Sequence, residues 1–220
     1  HREIILKNVP NIFCTCVYLV YNSKRRMISK VYSITVNWLE SSLIEIEVDI
    51  NQGLPSFTIV GLPDQGIQES KERLRSAMKS SNFRLPTSRI TVNLAPADIK
   101  KSGPCFDLPV AIGILLNQDF INQDLIQESL FLGELSLDGQ LRRVWWVLPA
   151  TIWAVEKWFK RIFVPRENAL EASIIPGIDV IEVESLSEII KFLNKEKPLN
   201  IVPLLDFTKI PDDEKIIENQ

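Results

Sequence analysis

The chain of 220 residues has the size and composition of one compact domain, with 45% hydrophobic and 24% charged residues. Its net charge is −3 and its only histidine is His1. These values argue against a basic nucleic-acid-binding protein, and they nearly exclude histidine-based catalysis and histidine-ligated metal sites. Three cysteines do not make a disulfide framework, so we expect a cytoplasmic protein with no metal or cofactor of its own.

Residues 1–26 are unlike the rest of the chain. An apolar run at 12–21 is followed by Lys24, Arg25 and Arg26. The run is too short to cross a bilayer as a helix, and a basic cluster stands where a signal peptide would have its cleavage site. We interpret 1–26 as upstream or non-native sequence and expect the domain to begin at Met27, with no membrane association.

The first half of the domain predicts three strands and a helix. Residues 43–49 alternate apolar and acidic side chains, which indicates a half-buried strand, and the stretches 31–36 and 57–60 flank it. Three consecutive strands favour an antiparallel meander. After Gly61, a stripe at helical spacing predicts one amphipathic helix that ends near Ser80.

The second half predicts alternating strands and helices, and residues 195–220 have the composition of a linker or tail. The fold class is therefore α+β, with one domain over 27–194. The predicted elements are a strand at 89–94, a buried helix at 108–117, a hairpin of 130–135 with 141–144, a helix at 147–159, a strand at 161–164, a helix at 166–173, a strand at 178–183 and a final helix from Ser185 to about Asn194.

The segment from Gly61 to Gly66 has the two glycines of a phosphate-binding loop at the right separation. However, Ile67 and Gln68 stand where such a loop has Lys and Ser or Thr, and Pro63 removes one N–H donor. A tight turn into a helix is the better interpretation.

A second candidate is the basic stretch from Lys71 to Lys101, which contains eight basic and two acidic residues. Residues at four-residue spacing share one face of a helix, and such a face can hold phosphates even on an acidic protein. The alternative is a solvated helix face. The predicted nucleic-acid contacts are Lys71, Arg75, Lys79, Arg84, Lys100 and Lys101.

Cys105 and the tryptophans are the remaining candidates. Cys105 follows a Gly-Pro corner at the start of the buried helix, where a positive helix end could activate a thiol, although a small buried cysteine is the simpler interpretation. Four tryptophans lie between 145 and 158. The spacing of Trp146 and Trp153 indicates core packing, whereas an exposed ring at Trp145 or Trp146 would indicate a partner surface.

Six segments resemble the N-terminal domain of the bacterial magnesium-chelatase-like AAA+ ATPases of the ComM type. They are MISKVYS at 27–33, VDINQGLPSFTIVGLPD at 48–64, QESKER at 68–73, ITVNLAPAD at 90–98, GPCFDLP at 103–109 and FLGELSLDG at 131–139. The resemblance implies the fold of the second domain of ribosomal protein S5, shared with the proteolytic domain of Lon, as a mixed sheet with helices. It also implies a bacterial cytoplasmic protein that acts in DNA processing, such as branch migration during natural transformation.

The resemblance implies ATP and Mg²⁺ only for the AAA+ module that follows this domain in the family. That module, in cis or in trans, is the expected partner, with single-stranded or branched DNA as a second one and a hexamer formed through the module. Residues 205–210 are similar to the linker into it, and 195–220 would be a linker toward a module that this chain lacks. We therefore expect a non-catalytic accessory domain.

The family resemblance also frames the alternatives. Lon-like sites use a serine–lysine dyad, and the resemblance places Cys105 at the nucleophile position and Leu148 at the lysine position. A peptidase with Cys105 as nucleophile is one alternative, and a purely partner-binding structural module is another. Residues 144–147 depart from the family, whose members have small or basic residues there, so the function of Trp145 and Trp146 is left open.

Overall fold

The computed structural model describes residues 28–37, 40–198 and 200–205. The proposed extension 1–26 lies outside them. The strands are β1 (Ser29–Asn37), β2 (Glu40–Asn51), β3 (Ser56–Val60), β4 (Arg89–Ala95), β5 (Ser129–Phe131), β6 (Glu134–Leu135), β7 (Leu141–Arg142), β8 (Arg161–Pro165), β9 (Asp179–Val183) and β10 (Ile201–Val202). The helices are α1 (Gln65–Gln68), α2 (Ser70–Ser80), α3 (Asp107–Asn117), α4 (Val147–Glu156), α5 (Arg166–Ala172) and α6 (Leu186–Leu193), with 3₁₀ turns at Pro104–Phe106 and Gln123–Ile126.

Eight strands form one mixed sheet in the order β10-β9-β8-β5-β1-β2-β4-β3, and β6 and β7 form a separate hairpin. Strands β1, β2 and β4 pair antiparallel, whereas β4 with β3 and the series β1, β5, β8 and β9 pair parallel. This arrangement confirms the predicted α+β class with a mixed sheet.

The predicted meander of the first three strands is wrong. Strand β4 lies between β2 and β3, and β3 pairs with β4 in parallel. The physical reason is the connection between them, because the two helices α1 and α2 form the crossover that a parallel neighbour requires. The turn signal at 51–53 therefore ends β2 without making a hairpin.

The predicted helix after Gly61 is divided in two. Helix α1 has four residues and α2 has eleven, and Glu69 stands between them in a helical conformation. The apolar stripe is where the spacing places it, since Ile67, Leu74 and Met78 are fully buried. The buried face is therefore shared by the two helices.

Two hydrophobic clusters form the core. The larger contains Val31 of β1 with side chains of α2, α3 and α6, and the smaller contains Ile34 of β1 with side chains of α4 and α5. Because neighbouring side chains of a strand point to opposite faces, odd and even positions of β1 belong to different clusters. Helix α3 is buried from Asp107 to Leu116, as its uniformly apolar sequence predicts.

The C-terminal third follows the predicted alternation of helices and strands, and Ser185 caps α6 by accepting a hydrogen bond from the N–H of Glu188. Strand β10 pairs with β9, so the sheet continues beyond the predicted boundary at Asn194. Among the described residues, no helix has the length and apolar character needed to cross a bilayer.

Candidate nucleic-acid interface and the Cys105 region

Two loops meet at one edge of the sheet because β3 and β4 are parallel and end side by side. The loop after β3 contains Leu62 and Asp64, and the loop after β4 leads to Lys101 and Gly103. The N–H of Asp64 donates to the carbonyl of Lys101 at 3.1 Å, and the N–H of Lys101 donates to the carbonyl of Leu62 at 3.3 Å. These bonds hold the two motif-bearing loops together.

Gly61 is required where the first loop leaves β3. Its φ is +98°, and a Cβ at this position would lie 2.1 Å from the carbonyl oxygen of Leu94 in β4. A side chain is therefore excluded by both the backbone conformation and the neighbouring strand.

The carboxylate of Asp64 caps α1 and bridges the two loops. Its two oxygens accept hydrogen bonds from the N–H of Ile67 and the N–H of Gly103, both at 2.9 Å. Because these donors already bind an anionic group, and because no lysine follows Gly66 at the required position, the loop does not fit the phosphates of ATP.

The buried carboxylate of Asp107 is the most highly connected polar group of this region. It accepts hydrogen bonds from Arg73 Nε at 2.6 Å, from Arg73 Nη2 at 3.1 Å, from the Ser70 hydroxyl and from the N–H of Leu135 at 3.2 Å. Arg73 Nη2 also donates to the carbonyl of Gly66 at 2.9 Å. These contacts, the Asp107 cluster, join α1, α2, α3 and β6.

Burial raises the pKa of Asp107, and the hydrogen bonds from Arg73 and Ser70 act against that effect. The same carboxylate raises the pKa of Arg73. Arg73 is one of the eight basic residues of the stretch from Lys71 to Lys101, and its pairing with Asp107 is not evident from that pattern. The available signal was its position beside Ser70 and Leu74, on the face of α2 that is buried.

Lys101 is not part of an exposed basic surface, which corrects its assignment as a phosphate contact. Its side chain is fully buried, and its ammonium group donates to the carbonyl of Pro96. Burial lowers the pKa of Lys101, and the nearby carboxylate of Asp98 acts in the opposite direction. A loop lysine is normally solvated, so the sequence carried no signal for this burial.

The other predicted contacts remain accessible. Arg75, Lys79, Arg84 and Lys100 are exposed, and Lys71 is half-buried. Lys71, Arg75 and Lys79 lie one turn apart along α2, and we call these three residues the α2 basic face. Arg84 follows that helix, and Lys100 lies in the second loop.

Cys105 lies where the two hydrophobic clusters meet and packs against both. The residue is partly exposed, yet burial raises the pKa of its thiol to about 12, and the carboxylates of Asp107 and Asp64 add to the effect. Leu148, at the expected lysine position, lies in the first turn of α4 with its N–H donating to Glu171. The thiol therefore stays protonated at neutral pH, which is unfavourable for a nucleophile.

The tryptophan pair is exposed, which corrects the core-packing interpretation of Trp146. Trp145 is 80% exposed and Trp146 is 56% exposed, whereas Trp153 is half-buried against the smaller cluster. A shallow cavity of about 70 Å³ beside the pair is lined by Thr35, Ser102 and Cys105. Within the part of the chain that the structure describes, no group of histidine, cysteine and carboxylate side chains is arranged to hold a metal ion.

The mixed sheet with helices on both faces and the joined loops define an α+β domain of the Lon-like and S5-like class. The family model described as subunit ChlI of magnesium chelatase matches residues 46–168, which is more than half of the chain. The chain belongs to this magnesium-chelatase-like family.

Three relatives show how much of the family is represented here. The chain is 41% identical over 169 residues to the competence protein ComM of Haemophilus influenzae, an alignment that covers 77% of this chain and 33% of ComM. It is 35% identical over 156 residues to the uncharacterized protein YifB of Escherichia coli, with coverages of 71% and 31%. It is 31% identical over 97 residues to the DNA repair protein RadA of Listeria monocytogenes, with coverages of 44% and 21%. The chain thus spans about a third of the length of ComM and YifB.

Proposed function

We propose that this chain is the N-terminal accessory part of a ComM-like AAA+ ATPase and that it contributes nucleic-acid contact instead of chemistry. The observation that carries the proposal is the state of Cys105. The family resemblance places this residue at the nucleophile position of a proteolytic fold, but burial and the carboxylates of Asp107 and Asp64 oppose ionisation of its thiol. A Lon-like peptidase using Cys105 is accordingly disfavoured.

The α2 basic face supports the binding role. Arg75 and Lys79 are exposed on a single helix face, and phosphate contacts by such groups are independent of sequence and weaken steeply with salt. Arg84 and Lys100 extend the set of accessible cations, whereas Arg73 and Lys101 are engaged inside the protein. The name of one relative, a DNA repair protein, is in keeping with DNA as the nucleic acid.

The proposal assigns ATP and Mg²⁺ to the AAA+ module of the family, in cis or in trans, and assigns any hexamer to that module as well. The proposed location is the cytoplasm, where the protein would act in DNA processing such as branch migration during natural transformation. Incubation of this chain with ATP should release no phosphate above background. Robust turnover would contradict the accessory role.

The binding role is tested by fluorescence anisotropy with labelled single-stranded and branched DNA at low and physiological salt. The variant Arg75→Glu/Lys79→Glu should bind at least about tenfold more weakly at low salt, because it removes two phosphate contacts and adds two repulsive charges. The matched control is Lys191→Glu/Lys195→Glu, which makes the same charge change at exposed positions at the end of α6. Equal loss in both variants would show a general charge effect and would reject the α2 basic face.

A further inference from the structure

Four exposed aromatic and cationic residues lie from the last residue of β7 to the residue before α4. We call Arg142, Arg143, Trp145 and Trp146 the aromatic platform. The side chains of Arg142 and Arg143 are 66% and 59% exposed, and the exposed rings of Trp145 and Trp146 follow closely in the sequence. Tryptophan is highly buried on average because its burial is strongly favourable. Two adjacent exposed rings therefore indicate an interaction surface.

The backbone holds the platform in place from both sides. The buried amide of Asn168 accepts a hydrogen bond from the N–H of Val144 at 2.9 Å and donates one to its carbonyl at 3.0 Å, and Val147 is fully buried. Between these anchors, Trp146 has a left-handed conformation with φ 69° and ψ 22°, which is unfavourable for a large side chain. The two rings are therefore presented to solvent by a fixed segment, which lowers the entropic cost of binding.

The charges around the platform leave its cations available. The Arg143 guanidinium lies 5.8 Å from the centre of the Trp145 ring, a cation–π distance. Arg142 is 3.8 Å from Glu134 and Arg143 is 3.8 Å from Glu171, and both separations exceed hydrogen-bond length. Exposed ion pairs of this kind are weak, so a phosphate can compete with the carboxylates.

We propose that the aromatic platform binds single-stranded nucleic acid, with bases stacked on Trp145 and Trp146 and phosphates held by Arg142 and Arg143. Ring faces with adjacent guanidinium groups match a chain of alternating bases and phosphates. A duplex does not offer its base faces, so the platform selects single strands. The inference rests on the proposed function for the presence of nucleic acid, but it places a second contact outside the α2 basic face.

The test is anisotropy with a labelled oligothymidylate of about 12 nucleotides. Trp145→Ala/Trp146→Ala should weaken binding by at least about tenfold. The control Trp158→Ala removes a ring that is 86% exposed two residues beyond α4, and it should not change binding. Trp145→Phe/Trp146→Phe should restore most of the affinity, because phenylalanine also stacks. An abasic oligomer of equal length should bind the wild-type chain as weakly as the thymidylate binds the alanine variant.

The outcomes separate this inference from the proposed function. If the charge variant in α2 loses affinity while the alanine variant does not, the proposed function stands and the platform is rejected. Unchanged thymidylate affinity in the alanine variant is also the result expected if the platform binds a protein. Equal binding of the abasic and thymidylate oligomers would reject stacking. If the wild-type chain binds no nucleic acid at low salt, both proposals are rejected.

Discussion

The Asp107 cluster and the aromatic platform distribute residue types in opposite ways. In the cluster, a carboxylate and a guanidinium are drawn inside the protein and joined by short hydrogen bonds. In the platform, two large apolar rings are turned out to solvent. A buried charge that loses its partner is costly, whereas an exposed ring contributes little to stability. The comparison teaches that the first region serves the fold and that the second is available for binding.

The largest expected effect is the loss of one partner in the cluster. Asp107→Leu leaves Arg73 without its carboxylate, and we expect a decrease of about 3–5 kcal/mol in the free energy of unfolding. The control Glu156→Leu removes an exposed carboxylate at the end of α4 and should change it by less than about 0.5 kcal/mol. Chemical denaturation measures both. The double variant Arg73→Leu/Asp107→Leu should recover part of the loss, and a cost for Asp107→Leu below about 1 kcal/mol would remove the distinction between the regions.

Cys105 is close to both regions. It lines the cavity beside Trp145 and Trp146, and the carboxylate of Asp107 acts on its thiol. With its pKa raised from 9.0 to about 12, its thiolate fraction at pH 8 is about a thousandfold below that of an ordinary thiol. In a Cys14→Ser/Cys16→Ser background, alkylation by iodoacetamide should be slower by a similar factor in the folded chain than in denaturant. The rate should still be rising at pH 10.

The raised pKa of Cys105 also makes the free energy of unfolding depend on pH. The folded state keeps the proton while the unfolded state loses it above about pH 9, so this group lowers stability as the pH rises from 9 toward 12. A Cys105→Ala variant should lack that part of the pH dependence. Rapid alkylation of the folded chain at pH 8 would show that the thiol is activated and would reopen the peptidase alternative.

The two loops near the Asp107 cluster differ in the space around their glycines, because Gly61 is crowded by β4 and Gly103 is open. Gly61→Ala meets the Leu94 carbonyl and should cost about 2 kcal/mol or more, whereas Gly103→Ala, at φ +85° with no atom near the added Cβ, should cost only about 1 kcal/mol. Thermal unfolding of the two variants separates the steric contribution from the conformational one. Equal effects would mean that β3 moves away from β4 at little cost.

The smallest expected effect belongs to the platform. Trp145→Ala should change the free energy of unfolding by less than about 0.5 kcal/mol, because the ring is exposed. Trp153→Ala removes a ring that packs against the smaller cluster and Phe159, and should cost about 2 kcal/mol. A large loss of stability in Trp145→Ala would show that this ring serves the fold after all.

Local patterns were sufficient for the individual elements and insufficient for their pairing. The alternation in β2, the apolar sequence of α3 and the cap at Ser185 each describe neighbouring residues, and each was predicted. The position of β4 between β2 and β3 depends on contacts distant in sequence, which alternation does not encode.

The candidate site shows the same limit. Arg73 and Asp107 are 34 residues apart, and their ion pair forms only because α2 packs on α3. Lys101 differs, because the carbonyl that accepts its ammonium group belongs to Pro96, only five residues earlier, yet the residue types of this loop do not reveal its burial. Trp146 is exposed and has a left-handed conformation just before α4, whereas its helical spacing from Trp153 favoured core packing.

The insertion of β4 between β2 and β3 has a consequence during translation. Strand β3 ends at Val60, but the strand that it pairs with among the described residues begins at Arg89. At about 5–20 residues per second, the ribosome needs a few seconds to synthesise the intervening segment. Throughout that interval the nascent β3 has no neighbour in the sheet, and its backbone is open to pairing with other chains. This edge of the sheet can therefore form only after β4 has left the ribosome. Until then β2 can pair only with β1, because its second neighbour is also β4.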